Sequence, residues 1–159
     1  MEQFKRFGID LEQDNYIQSS IYGIASVYSL IEKAIENYLK AYNLSTSKFN
    51  MLMIIKHQGK ENGISQIDIG KRLVVTASNM TKQLDKLYGD DLIERFAQQG
   101  DRRVNLIKIT AKGSELLDKV WPGYYDKIQE MANMLDENER ENLAQILAKW
   151  FGLLEKQQK

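Results

Sequence analysis

Residues 65–110 read SQIDIGKRLVVTASNMTKQLDKLYGDDLIERFAQQGDRRVNLIKIT, and this stretch decides the fold. Ser65 is a good helix N-cap, and Asp68, three residues on, can return a hydrogen bond to the cap. Ile69 and Leu73, with Ile64 just before them, form the inward side of that helix. Gly70 lies between them, a cost of roughly 1 kcal/mol against alanine that is tolerable where another helix crosses closely. Val74 and Val75 make an apolar turn, and Thr76 caps a second helix from 77 to about 88. Met80, Leu84 and Leu87 recur at steps of four and three, so they point inward. Leu92, Ile93 and Phe96 then form a short strand, and Val104, Leu106, Ile107 and Ile109 a second. The hairpin loop between them, AQQGDRR, has Gly100 at its tip, where a positive φ is permitted. The order is helix, turn, helix, wing.

Working outward, residues 11–42 carry Ile17, Ile21, Ile24, Tyr28, Ile31, Ile35 and Tyr38 at helical spacing, one face of a long helix. Residues 1–9 show no period and read as an arm. Ser45 caps a second helix with Phe49, Leu52, Met53 and Ile55 inward, ending near His57 before a glycine-flanked loop at 58–63. After the wing, Thr110 caps a fifth helix whose stripe runs from Leu116 to Leu135 and which Pro122 should kink. Asp136 and Glu139 form a capping box for a sixth, where Leu143, Ile146, Leu147, Trp150, Leu153 and Leu154 make a broad apolar face. That face is too rich for a terminal helix on a small domain. The expected fold is therefore mostly α, a winged helix-turn-helix with six helices and a two- to three-stranded β-wing. Its N- and C-terminal helices form a dimerisation layer. The expected divisions are 1–43 (arm and dimerisation helix), 44–113 (winged helix-turn-helix) and 114–159 (dimerisation helices).

Net charge over the 159 residues is zero, but residues 45–113 hold twelve basic and seven acidic side chains, an excess of +5. A basic middle between acidic ends points to a polyanion partner, although such asymmetry also arises without one. The outer face of the fourth helix carries Ser78, Asn79, Lys82, Gln83 and Lys86, with Thr76 at its start. These donors, acceptors and cations suit base edges and phosphates. In the wing, Arg102 and Arg103 can reach a minor groove while Asp101 braces one of them. The competing readings are a solvated helix face and an exposed hairpin with incidental arginines, in other words a winged-helix protein-interaction module without DNA binding.

Other chemistry finds little support. Cysteine is absent, which excludes disulfides, thiolate metal sites and thiol redox sensing. His57 is the only histidine, and no phosphate loop, nucleophile motif or Cys/His metal spacing occurs, so an enzyme, a cofactor and a metal are not expected. No apolar run approaches the ~20 residues that span a bilayer, and the N-terminus lacks a signal-peptide core. These features fit a cytoplasmic protein without membrane contact.

With those residues in place, the chain resembles the multiple-antibiotic-resistance regulator (MarR) family of winged helix-turn-helix repressors. The resemblance rests on Leu44-Ser45, Ser65 to Asp68, Ser78-Asn79 with Thr81, Leu92 to Arg95, Asp101-Arg102-Arg103, and Thr110 to Gly113. Two positions depart from the pattern. Asp91 stands where the family usually has glycine, so a shifted end of the recognition helix is expected. Lys48 replaces the usual Glu or Gln of a capping box, which should loosen that helix start. The resemblance implies a homodimeric repressor on a pseudo-palindromic operator of double-stranded DNA, with half-sites about 10 bp apart. By position, Arg103 matches the family's wing arginine and Asp101 its brace. The resemblance also implies a crevice for a lipophilic or phenolic effector, which Tyr22, Tyr28, Tyr38, Trp121 and Tyr124 could line; aromatics at this spacing are more often plain core.

Overall fold

The computed structural model describes residues 16–73, 80–98 and 101–157, except for the side chains of 98 and 101–104. The chain forms two compact units, Met1–Pro122 and Gly123–Lys159. Among the described residues the α-helices are α1 (Ile17–Leu39), α2 (Thr46–Ile54), α3 (Gln66–Arg72), α4 (Met80–Gly89), α5 (Ala111–Ala132) and α6 (Glu137–Gln157). Three strands, β1 (Ile64–Ser65), β2 (Ile93–Gln98) and β3 (Asp101–Ile109), form an antiparallel sheet in the order β1-β3-β2. The winged helix-turn-helix reading with six helices is thus what the chain adopts. The expected arm at 1–9 and turn at 74–75 lie outside the described residues.

Local chemistry explains most of the boundaries. The Ser45 hydroxyl accepts the Lys48 amide at 3.2 Å, and the Ser65 hydroxyl accepts that of Asp68 at 3.1 Å. The return bond from Asp68 is made to the Ser65 hydroxyl, at 2.8 Å. That contact holds the Asp68 carboxyl below its usual range, with Lys71 adding to the effect. Asp136 and Glu139 form the full reciprocal box, at 2.9 and 2.8 Å. The Lys48 ammonium pairs with Asp90 at 3.1 Å. The third strand, β1, pairs Ile64 with Ile107 and Ser65 with Leu106 immediately before α3. Gly63 precedes it at φ +72°, where an added Cβ would sit 2.8 Å from the Phe96 ring. Gly70 faces the Met80 thioether, with a would-be Cβ 3.3 Å from Cε; it makes room for a side chain and not for a crossing helix backbone.

Helix α4 ends as a Schellman turn. Asp91 N–H donates to Tyr88 O and Leu92 N–H to Leu87 O, both at 3.0 Å, with Asp91 left-handed at φ 58°. Asp91 therefore occupies the conformation that a glycine would fill, and the helix end is in place. Asp91→Gly should raise stability by roughly 0.5 kcal/mol, since the left-handed penalty slightly exceeds the entropy a glycine adds to the unfolded chain. Urea unfolding at fixed protein concentration measures it, and a loss of stability would contradict this account.

The first unit buries Leu39 of α1, Phe49, Met51 and Leu52 of α2, Ile55, Ile69 of α3, Leu84 and Leu87 of α4, Ile93, Ile107, and Leu117 and Val120 of α5. The inward positions of α4 are those that the spacing predicts. The Tyr38 hydroxyl donates to the Val120 carbonyl at 2.9 Å and fastens α1 to α5. Helix α5 continues through Pro122, the residue at which the two units divide.

Two helices are left largely uncovered. On α1, Ile17, Ile21, Tyr22, Ile24, Val27, Tyr28, Leu30 and Ile31 are exposed, Ile17 by 71%, whereas Ile35 is buried. Helix α6 has no buried residue, and Leu143, Ile146, Leu147, Phe151, Leu153 and Leu154 are all exposed. Apolar surface on this scale is unusual on a lone soluble chain.

Candidate nucleic-acid interface

Buried Leu84 and Leu87 anchor α4, which leaves Thr81, Lys82, Asp85 and Lys86 on its exposed side and Gln83 half-buried beside them. Of the residues that sequence reasoning placed on this face, Lys82, Gln83 and Lys86 therefore sit together on one helix. Thr76, Ser78 and Asn79 lie outside the described residues. Asp101, Arg102 and Arg103 have their backbone at the start of β3, where Asp101 pairs with Gln98 of β2. The wing keeps a regular register from Ile93↔Ile109 to Ala97↔Asn105 and shifts between Ala97 and Gln98.

Helix and wing are clasped to each other. The Arg95 guanidinium on β2 pairs with Asp85 of α4 at 2.7 Å and lies 5.5 Å from the centre of the Tyr88 ring. On the central strand, Lys108 of β3 pairs with Glu61, in the loop before β1, at 2.8 Å. The bond holds the Glu61 carboxyl below its usual range and raises the Lys108 ammonium. Both pairs are exposed enough that their stabilising worth is small, and their value is to set direction.

Sequence reasoning missed Gln66. Its side-chain amide donates to the Thr81 hydroxyl at 2.7 Å, joining the first turn of α3 to the exposed side of α4. The signal was there, since a long amide directly after an N-cap serine is free to reach the next helix. The aromatic residues suggested for an effector lie on α1 and α5. Tyr22 and Tyr28 are exposed on α1, Trp121 is exposed on α5, Tyr124 is half-buried on α5, and the Tyr38 hydroxyl is engaged with Val120. None of them is among the residues that line the recesses beside α4, beside His57 or beside Ile67. Among the described residues no group of three or more His, Cys, Asp or Glu could hold a metal, and no helix is long and apolar enough to cross a membrane.

The sequence model of the MarR family matches residues 44–104. The HTH-type transcriptional regulator MhqR of Bacillus subtilis (strain 168) is 31% identical over 134 residues, which cover 84% of this chain and 90% of that one. Among solved structures, a MarR-like transcription regulator from Bacillus cereus ATCC 10987 superposes with a TM-score of 0.77 at 25% identity, covering 86% of this chain and 97% of the other. A mutant of MarR from E. coli, complexed with operator DNA, shares the fold at a TM-score of 0.75 and 24% identity, covering 86% and 96%.

Proposed function

Because this chain belongs to the MarR family, we propose that it is a homodimeric, sequence-specific DNA-binding transcription regulator, a repressor acting in the cytoplasm. The observation that carries the reading is the exposed polar and cationic side of α4, held out by buried Leu84 and Leu87 and clasped through Arg95 to the wing. Lys82, Gln83 and Lys86 with Ser78, Asn79 and Thr76 meet a major groove, and Arg102 and Arg103 meet the flanking minor groove with Asp101 as brace. The uncovered apolar faces of α1 and α6 are where a second copy packs, which sets the two α4 helices at the separation of successive turns of duplex. The relatives of this chain are transcription regulators.

Two measurements test this. Sedimentation should give twice the chain mass of 18.4 kDa. Titration of DNA upstream of the protein's own gene should give an affinity whose logarithm falls with log salt at a slope of roughly −5 or steeper, as several phosphate contacts per chain require. A monomer, or DNA binding without salt dependence, would favour the protein-interaction module instead.

A further inference from the structure

The recesses beside His57 and beside Ile67, about 340 and 610 Å³, share Gln58 and Arg72 in their walls and so form one groove in two parts. Met53 and Ile54, at the end of α2, line the first part, and Ile64 of β1, Leu106 of β3 and Ile67 of α3 line the second. Among the described residues no part of α4 contributes to it. We propose that this groove is a docking surface for a protein partner, specifically a short segment with bulky apolar side chains at both ends and carboxylates between them, and that the segment binds whether or not α4 holds DNA. The independence from DNA rests on the operator reading above; the surface itself does not.

Three observations carry it. First, the two ends of the groove are apolar and open. Ile67 is 70% exposed on the outer side of α3, and Met53, Ile54 and Leu106 are only half-buried. Covering such side chains removes apolar surface from water. Second, the charge at the join is positive and unanswered. Arg72 Nη1 donates to the Asp68 carbonyl oxygen at 3.1 Å, which fixes the side chain, and among the described residues no carboxylate pairs with its guanidinium. Asp68 is the one carboxylate of the lining, and it is already engaged by the Ser65 hydroxyl at 2.8 Å and the Lys71 ammonium at 3.4 Å. A guanidinium anchored in this way keeps its other N–H donors for a carboxylate, whose shape matches its fork. Third, the groove points away from α4. Gln66 and Gly70 face α4, through Thr81 and Met80, while Ile69 is buried in the core. Ile67 with Lys71, and Asp68 with Arg72, are each four residues apart and lie on the opposite side of α3. The shape then decides the class of partner. A small molecule fills one part, whereas a chain segment spans both across Arg72. Nucleic acid would answer the cations and leave Ile67, Met53 and Ile54 uncovered; an acidic segment with apolar ends answers both.

The test pans a phage library of random dodecapeptides against the full-length protein, then titrates the enriched sequences as labelled synthetic peptides by anisotropy. The expected result is enrichment of Asp or Glu flanked on both sides by Leu, Ile, Phe or Met, with saturable binding. Ile67→Ser and Arg72→Gln, each altered at an exposed side chain, should each weaken the peptide about tenfold, and Arg72→Lys should recover only part of the loss. Replacing the peptide's own carboxylates by amides should cost the wild type a similar factor, a comparison that needs no variant to fold. The two variants should match the wild type in urea midpoint, sedimentation and DNA affinity, and the peptide should bind equally well to protein saturated with operator DNA. No acidic enrichment, or peptides that bind both variants as they bind the wild type, would overturn the proposal. A halved mass in Ile67→Ser would make the groove a contact between copies of this chain, and lost DNA affinity in Arg72→Gln would make it a seat for phosphate; either result goes against it. Should the wild type bind the peptide and no DNA, the operator reading fails and the docking surface stands.

Discussion

Gly113→Ala should lower the stability of the protein by about 2–3 kcal/mol, the upper range for forcing a carbon into a filled space. A Cβ at Gly113 would lie 2.2 Å from the Leu92 carbonyl oxygen and 2.9 Å from Ile109 Cγ1. The backbone oxygen cannot swing aside, because it already accepts the Thr110 amide at 3.1 Å. The Thr110 hydroxyl closes the knot, donating to Asp91 O at 2.7 Å and accepting the Gly113 amide at 3.0 Å. The turn after α4, the end of β3 and the start of α5 therefore share one small hydrogen-bonded junction, and its glycine is needed for close approach. The urea midpoint should fall by about 1 M with an unchanged slope. Gly89→Ala is the matched control. Nothing lies within 4 Å of its would-be Cβ, so it should be neutral or gain a few tenths of a kcal/mol. A Gly113→Ala protein as stable as the wild type would show that the junction is looser than described.

Arg103→Ala should weaken operator binding about tenfold or more, close to 1.4 kcal/mol or above, while sedimentation still gives the dimer. The expectation combines the position of Arg103 in the Asp-Arg-Arg sequence with its backbone place in β3 two residues after the strand begins. A dimer presents the residue twice, so the loss is felt at both flanks of the site. Arg103→Lys keeps the charge and gives up the planar fork, and should recover part of the affinity. Anisotropy titration at fixed salt decides it. Wild-type affinity in Arg103→Ala would remove the wing from the interface and leave α4 alone to account for binding.

The parts of the fold legible in the sequence are those written within four residues. Ser45, Ser65, Thr110 and the Asp136–Glu139 box each act on an amide three positions away, so spacing alone locates them. The inward sides of α4 and α5 follow from a period of 3.6, and the surplus of apolar side chains on α6 is plain in the sequence and stands exposed in the structure. What was illegible depends on distant partners or on very short segments. A two-residue strand such as β1 has no period, and its existence depends on Leu106 and Ile107 more than forty residues later. The five-residue π-turn Ile55–Gly59 leaves no compositional mark. The first helix was read as 11–42, whereas α1 spans Ile17–Leu39 and ends in a tighter turn, Lys40–Tyr42, because Asn43 turns left-handed at φ 55°. On the candidate site, the face of α4 was legible as a face. The Arg95 clasp and the Gln66 bridge were not, because each joins residues from elements that sequence order keeps apart.

The Arg95 link to Asp85 and Tyr88 also bears on the entropy of association. Two reading elements hinged independently would each have to surrender rotational freedom when they meet a duplex. On the regulator reading proposed above, the helix and the root of the wing are ordered relative to each other as the chain folds, so an encounter with a duplex would immobilise one body instead of two, and that part of the ordering cost would be absent from the binding equilibrium.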